Sequence, residues 1–402
     1  MKIGIIREGK VPPDSRVPLT PEQCAYLNKS GKVQIVVQPS PNRCFDDESY
    51  QKAGITLRED LTDCDILMGV KEVPIEQLVP NKTYFFFSHT IKKQSYNRDL
   101  LLAILERNIR LLDYEVLTNE KGQRLIAFGK FAGMVGAHNG VMTYGNRTGE
   151  FNLKRMKDCH DYAEAKTIYE KLDLPPMKIV LTGTGRVANG AAQVLKDMGI
   201  EKISTEDFLE NEFQHAVFTQ LDCVDYAANK NGNTFNLQDF FQNPQNYESI
   251  FTPYIHASDL MINGIFWDNK APAFFTKEEM KESNFRIKVI ADVTCDIAPV
   301  ASIPSTLRAS TIANPIFGYD PIAEAEAIPH QANIIDMMTI DNLPNELPRD
   351  ASQAFGEQFI EHIFQELLEQ KEGGVIERAS VTENGDLGKH FEYLRDYKEG
   401  KS

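Results

Sequence analysis

Met177-Lys-Ile-Val-Leu-Thr-Gly-Thr-Gly-Arg-Val-Ala188 is the stretch whose reading decides the fold. The apolar run Ile179–Leu181 ends in Gly183 and Gly185, and a helix-like segment, 187–196, follows at once. A dinucleotide pyrophosphate needs a tight corner, a backbone without Cβ at the point of approach, and a small third residue so that the helix packs on its strand. Gly183, Gly185 and Ala188 supply these in order, and the first helical N–H groups face an anion. A short GxGxxA also arises by chance, so an ordinary strand–turn–helix corner is the competing reading. The turn begins after residue 175, which predicts a substantial domain before it.

At 402 residues the chain exceeds one hydrophobic core, and two domains are expected. The formal net charge of −15, with no lysine- or arginine-dense stripe, argues against a nucleic-acid or anionic-membrane partner. No apolar run approaches the roughly 20 residues that span a bilayer. Met1-Lys-Ile-Gly-Ile-Ile-Arg7 enters a strand pattern directly and does not read as a signal peptide. The six cysteines (Cys24, Cys44, Cys64, Cys159, Cys223, Cys295) form no CxxC pair. They read as thiols of a reducing cytoplasm, and no metal site is expected.

Outward from the turn, the first 130 residues alternate apolar runs with helical patterns, which predicts a parallel α/β layer. The strand-like runs are Lys2–Ile6, Val33–Val37, Ile66–Val70, Tyr84–Phe87, Arg110–Leu112 and Leu125–Phe128. The clearest helices are Asn97–Arg107 and Pro21–Lys29, the latter behind a Thr20 N-cap. Gly133–Tyr144 is small and apolar, as a buried crossover helix would be. Residues 146–176 read as surface helix and linker, and Gln214–Pro244 as an amide-rich, solvated excursion. Further strands are expected at Ile287–Val293 and Ala309–Ile312. An amphipathic helix over Asp350–Glu369 carries Phe355, Phe359, Ile360, Ile363, Phe364, Leu367 and Leu368, which need a partner surface. The charged tail 370–402 is expected to fray.

Several strand ends carry groups suited to chemistry. Arg16, in Asp14-Ser-Arg-Val-Pro-Leu-Thr-Pro21, could fork a carboxylate or could be a solvated arginine. Lys71 closes Ile66-Leu-Met-Gly-Val-Lys71, where open α/β sheets place their ligands. Partial desolvation there would lower its pKa toward proton-transfer use; a lysine snorkelling off a strand end is the alternative. His89 closes Tyr84-Phe-Phe-Phe-Ser-His89, suiting acid–base work or a hydrogen-bonded structural role. Glu115, in Leu111-Leu-Asp-Tyr-Glu115, could orient His89 or bind an amine, and Lys92 could add a carboxylate contact. In the later half, Asp292, Asp296 and Asp341 could face a nicotinamide ribose or serve as caps and turn residues. The acid that grips a ribose 2′-hydroxyl is expected near Ile203-Ser-Thr205, which Glu201 and Glu206 flank without filling. Lys202 and Arg186 lean toward a 2′-phosphate, hence NADPH.

Ser15-Arg-Val-Pro-Leu-Thr-Pro21, Gly69-Val-Lys-Glu-Val-Pro74 and the Gly183 turn resemble the alanine dehydrogenase and transhydrogenase superfamily. Lys82-Thr-Tyr-Phe-Phe-Phe-Ser-His-Thr-Ile-Lys92, Ile109-Arg-Leu-Leu-Asp-Tyr-Glu115, Ala127-Phe-Gly-Lys-Phe-Ala-Gly133 and Thr339-Ile-Asp-Asn-Leu-Pro-Asn-Glu-Leu-Pro-Arg-Asp-Ala351 are more specific. They resemble the lysine-forming saccharopine dehydrogenases and the lysine–ketoglutarate reductase half of aminoadipic semialdehyde synthase.

The resemblance implies two doubly wound Rossmann-like α/β domains flanking a cleft, with the last helix returning to the first domain. The substrate domain is expected over 1–130, completed by 346–402, and the dinucleotide-binding domain over 131–345. The implied reaction joins the ε-amine of lysine to 2-oxoglutarate and reduces the imine to saccharopine with NAD or NADP, or runs in reverse. Lys71 and His89 carry over as the acid–base pair, Arg16 and Lys92 as carboxylate binders, and Glu115 as a modulator. Asp341 carries over to the cofactor side; the other cofactor-binding candidates, read from the residues themselves, are Gly183, Gly185, Arg186, Ala188, Asp292 and Asp296. Small-molecule substrates are the expected partners, and a homo-oligomer is compatible with the sequence. The competing functions are an alanine dehydrogenase and a catalytically idle nucleotide-sensing protein on the same fold.

Overall fold

The computed structural model describes residues 1–369 and 371–401. The chain divides into two compact units, Met1–Phe128 with Pro348–Ser402, and Gly129–Leu347. These boundaries lie two residues from those expected, because the helix Gly129–Thr148 stays whole in the second unit and Pro348–His362 in the first.

The first unit is built on an eight-stranded sheet. Its spatial order is Asp386–Leu387, Ser380–Glu383, Arg110–Asp113, Thr83–Phe86, Ile66–Met68, Lys2–Ile5, Gln34–Val37 and Thr56–Leu57. The six amino-terminal strands are parallel, so their carboxyl ends share one edge. In register, Ile5, Met68, Phe85 and Leu112 lie side by side across that edge. The last two strands pair antiparallel beside Arg110–Asp113. The tail expected to fray therefore completes the sheet, with Val381, Leu394 and Tyr397 buried in the same core as Leu101, Ile104 and Leu111. Its charged residues mask a short apolar period.

Local sequence explains the other elements. Thr20 caps Pro21–Lys29 in a reciprocal box with Gln23, and Pro21 occupies the first turn. The amphipathic helix expected over 350–369 forms as Pro348–His362 followed by Phe364–Glu369. Phe355 and Phe359 are fully buried, against Phe85, Phe87, Tyr114 and Phe128. That helix thus returns to the first unit and satisfies its apolar face. Leu125–Phe128 is not a strand; the neighbourhood pairs only through an isolated bridge between Thr118 and Arg124, and Phe128 instead stacks on Phe355.

The second unit repeats the plan. Its order is Ala325–Ala327, Ile316–Asp320, Ile335–Met338, Val289–Asp292, Leu260–Asn263, Lys178–Thr182, Val217–Leu221 and Glu201–Lys202. Again six strands are parallel and two antiparallel strands extend one edge. Two sequence expectations, for Gln214–Pro244 and Ala309–Ile312, change here. Gln214–Pro244 contains the buried strand Val217–Leu221, whose apolar run the surrounding amides conceal. Glu201–Lys202 is a two-residue, exposed outer strand. Ala309–Ile312 forms only a bridge between Ser310 and Ile340, while Ile316–Asp320 and Ile335–Met338 carry the sheet.

The helix Gly129–Thr148 is buried continuously from Gly133 to Gly145. Two glycines allow its backbone to touch the helix Arg186–Asp197. A Cβ on Gly133 would stand 1.7 Å from the Val187 carbonyl oxygen, and one on Gly190 would stand 2.1 Å from that of Lys130. No rotamer relieves a clash with backbone, so both positions require glycine. This contact fixes the helix that opens the glycine turn.

Candidate active site

Five side chains project beyond the carboxyl edge of the first sheet, from four of its central strands. Glu8 follows Lys2–Ile5, Lys71 and Glu72 follow Ile66–Met68, His89 follows Thr83–Phe86, and Glu115 follows Arg110–Asp113. The parallel strand order brings them together.

Lys71 is half-buried, and its pKa is lowered first by burial and then by the Arg16 charge. Its own N–H and that of Val70 are held by Glu8, at 2.9 and 2.6 Å. Burial raises the Glu8 carboxyl to about 7 despite those two hydrogen bonds. Arg16 is buried and forks Asp14, with Nε to Oδ1 at 2.9 Å and an Nη to Oδ2 at 2.6 Å, and its guanidinium lies 4.3 Å over the Phe128 ring. The solvated-arginine alternative is thereby removed, and the guanidinium plane has a fixed orientation.

His89 adopts a left-handed backbone, φ 55°, and its Nδ1 lies 2.5 Å from Glu72 Oε1. Lys10 holds the other Glu72 oxygen at 2.7 Å. Burial acts to raise Glu72, but the hydrogen bonds from His89 and Lys10 outweigh it and hold the carboxyl at about 2. Glu72 therefore stays ionised, accepts from Nδ1, and leaves Nε2 as the ring nitrogen that a substrate can use. Glu115 is buried and paired with Arg124 and, at 3.3 Å, with Lys92. Burial acts to raise Glu115, yet the Lys92, Arg124 and His89 charges together lower it. Ser88 is pinned by Asp113, which accepts from its N–H at 2.8 Å and its hydroxyl at 2.5 Å, fixing the turn before His89.

In the second unit the glycine turn forms as read. Gly183 has φ 97°, and a Cβ there would sit 2.9 Å from the Gly264 carbonyl oxygen. Gly185 caps the helix Arg186–Asp197, and a Cβ on it would meet nothing within 4 Å, so the space beside the first helical N–H groups is open. Ala188 is fully buried, with its backbone 3.3 Å from where a Gly264 Cβ would stand. These features fit a dinucleotide pyrophosphate. Arg186 is exposed in the first helical turn.

Asp222 was missed by the sequence reading. It follows Val217–Leu221, the strand paired directly with Lys178–Thr182, and Leu221 lies opposite Thr182. It is exposed there and accepts from Thr184 Oγ1 at 3.4 Å. The residues near Ile203, where an acid was sought, follow the outermost strand instead. Lys202 is occupied by Gln220 at 2.8 Å. The legible signal was the run Ala216-Val-Phe-Thr-Gln-Leu221 closing on an aspartate.

The three other aspartates separate. Asp292 is fully buried and engaged by Asn263, Thr306 and the Cys295 N–H, and burial raises it to about 6. It anchors a polar chain, Thr182–Asn263–Asp292, across three neighbouring strands, with no face toward a ligand. Asp296 is half-buried and Asp341 is exposed. With Asp292 they surround Cys295, whose thiol is pushed up to about 12 by burial and then by these three carboxylates. Among the described residues no cluster of His, Cys, Asp and Glu can hold a metal ion, and no helix is long and apolar enough to cross a membrane.

Two Rossmann-like units, one with a charged strand-end edge and one with a glycine turn, define an α/β protein of the alanine dehydrogenase fold. L-alanine dehydrogenase superposes over the whole of both chains with a TM-score of 0.66 at 16% identity, a likeness of fold. Residues 4–135 match the family "Alanine dehydrogenase/PNT, N-terminal domain". The chain is 27% identical to alpha-aminoadipic semialdehyde synthase, mitochondrial, of Mus musculus, over 96% of this chain and 47% of that protein. It is 27% identical to saccharopine dehydrogenase [NAD(+), L-lysine-forming] of Neurospora crassa, over 86% of each. The chain thus spans about half the length of the synthase it matches.

Proposed function

We propose that this chain is an NAD(P)-dependent oxidoreductase of the lysine-forming saccharopine dehydrogenase type, acting on a CH–NH bond. The observation that carries the reading is the pairing at one sheet edge of a desolvated lysine, Lys71, with a histidine oriented by an ionised glutamate, Glu72–His89. Similarity to a protein of that name over 86% of the chain, and to alpha-aminoadipic semialdehyde synthase over 96% of it, supports it.

The first unit serves as the substrate domain and the second as the dinucleotide-binding domain. Gly183, Gly185 and Ala188 hold the pyrophosphate against the helix N-terminus, and Asp222 accepts from the adenine-side ribose. The bound nicotinamide supplies or takes the hydride. Joining an amine to a 2-oxo acid requires a proton removed from nitrogen and a proton given to the departing oxygen. A lysine held toward its neutral form and an imidazole with Nε2 open are two groups of different basicity suited to these transfers. Arg16 and Lys92 orient the carboxylates of 2-oxoglutarate and saccharopine, and Glu115 tunes the field around Lys92 and His89. The six free cysteines fit a reducing compartment, and the cytoplasm is the proposed location.

The test is nicotinamide oxidation with lysine plus 2-oxoglutarate set against ammonia plus pyruvate. Turnover with the first pair is the expected result. Turnover with only the second pair would assign an alanine dehydrogenase, and coenzyme binding without turnover on any amino donor would assign a nucleotide sensor.

A further inference from the structure

Glu8 stands apart from every residue assigned above a substrate or proton-transfer role. Its chain position is three residues past Lys2–Ile5, yet its carboxyl reaches across to the neighbouring strand end. There Oε1 accepts from the Val70 N–H at 2.6 Å and Oε2 from the Lys71 N–H at 2.9 Å. One carboxylate thus grips two consecutive peptide groups at the point where Ile66–Met68 gives way to the loop bearing Lys71 and Glu72. Above about pH 7, where Glu8 is ionised, these are charge-assisted carboxylate–amide bonds, among the stronger hydrogen bonds in proteins.

The sequence makes room for that grip. A Cβ on Gly69 would lie 3.3 Å from Glu8 Oε1 and 3.0 and 3.1 Å from the Ile6 side chain. Gly69 has no positive φ, so the reason for glycine here is the close approach of Glu8 and Ile6 rather than backbone conformation. The groups that face Glu8 electrostatically are Asp14 and Arg16 from the loop before Pro21–Lys29, and Tyr114 from beyond Arg110–Asp113. Those that act on Lys71 are Arg16, Asp14, Glu72 and Lys10. Asp14 and Arg16 are common to both sets, so the grip on residues 70–71 fixes where the lysine stands in that field.

We propose that Glu8 is a positioning residue for Lys71: its carboxylate clamps the backbone of Val70 and Lys71 and so keeps the lysine amino group partly desolvated and within reach of the Arg16 charge. The inference rests on the proton-transfer role proposed for Lys71. A clamp that works through position has a signature distinct from simple stabilisation. Released, the amino group regains water and the protonated form, so its titration moves up toward that of an ordinary lysine.

The experiment measures labelling of Lys71 by 1-fluoro-2,4-dinitrobenzene across pH, read by peptide mass spectrometry on the full chain. Glu8→Asp keeps the charge but is one methylene too short to span both N–H groups. Gly69→Ala keeps Glu8 but crowds its Oε1 and Ile6, so the carboxylate must give by a few tenths of an ångström and its hold on Val70 loosens. Both variants are expected to raise the Lys71 midpoint, lowering labelling at a fixed pH below the midpoint by roughly three- to tenfold, since one pH unit is tenfold in neutral amine. Turnover should fall in parallel, with the KM for coenzyme unchanged. A folded variant with the wild-type midpoint overturns the inference, even if its melting temperature has dropped. If Glu8→Asp does not fold, Gly69→Ala decides. Labelling needs no substrate, so absence of turnover in the wild type would strike the proposed function while the midpoints still judged the clamp.

Discussion

The two units use one architecture for opposite purposes. Each is a sheet of six parallel strands extended by two antiparallel ones, and in each the first strand of the unit lies third from one edge. At the carboxyl edge they part company. The first unit lines it with charge: Glu8, Lys71, Glu72, His89 and Glu115. The second has small residues and backbone at its turn, and directs polar side chains inward as Thr182–Asn263–Asp292. A shared sheet thus sets where chemistry is done, while strand-end residues set what is done. On the proposed reading, an edge of side chains moves protons and an edge of backbone N–H groups receives an anion.

That contrast predicts separable lesions. Lys71→Met and His89→Gln are each expected to lower turnover by about 10²–10⁴-fold, the usual contribution of a positioned acid or base, with coenzyme Kd within about twofold of wild type. Gly183→Ala is expected to do the converse. A side chain at φ 97° costs roughly 1–2 kcal/mol, and its Cβ would press on the Gly264 carbonyl, so coenzyme affinity should weaken roughly tenfold or more. Lys71 labelling in Gly183→Ala should match the wild type. Steady-state kinetics with coenzyme titration by fluorescence measures both. Equal losses of turnover and coenzyme affinity in the Lys71 and His89 variants would refute the division of roles.

A smaller effect sharpens the second half of the comparison. Asp222 stands at the end of the strand beside the glycine turn, where a carboxylate accepts from a ribose hydroxyl and repels a 2′-phosphate. The sequence leaned toward NADPH on Lys202 and Arg186; if Asp222 meets the ribose, as proposed, NAD is the expected preference. Asp222→Ala is expected to weaken NADH binding about tenfold, the value of a hydrogen bond to a charged group, while NADPH binding holds or improves. A variant with an unchanged ratio of NADH to NADPH affinity would remove Asp222 from the site.

What the sequence revealed follows from how local each signal is. The glycine turn was legible because strand, corner and helix are contiguous. Lys71 and His89 were legible because each ends an apolar run, and parallel strands put their ends on one edge. Glu72 was visible only as a neighbour of Lys71, since its partner His89 is 17 residues away and its partner Lys10 is 62 residues away in sequence. Asp222 was missed through order: the second strand of the unit, Glu201–Lys202, lies outside the third, so spacing from Gly183 pointed to the wrong strand. The tail defeated periodicity because a four-residue strand and its partner are too short to show one. The glycines at 133 and 190 were legible as small residues, but nothing local says that two helices touch through them.

The comparison also extends to polar groups buried in the core, where the effect at neutral pH is smallest. His138 lies in the centre of Gly129–Thr148, with Nδ1 2.7 Å from the Tyr169 hydroxyl and Nε2 2.8 Å from the Lys154 carbonyl oxygen. Burial lowers its pKa to about 4. The folded state therefore holds it neutral, while the unfolded chain protonates near 6.5. Its contribution to stability is intact above the unfolded value and is lost as pH falls from about 6.5 toward 4, at up to about 1.4 kcal/mol per pH unit. Asp292, in the same unit, works the other way: burial raises it to about 6, so its contribution is lost as pH rises from about 3.8 to 6. Because the two slopes oppose, the wild-type curve alone is uninformative, and the difference between wild type and His138→Gln isolates the histidine. Denaturant melts of both proteins should show the variant less stable at pH 7 and the gap narrowing steadily between about pH 6.5 and 4. A gap of constant size across that window would mean that His138 is not held neutral in the fold.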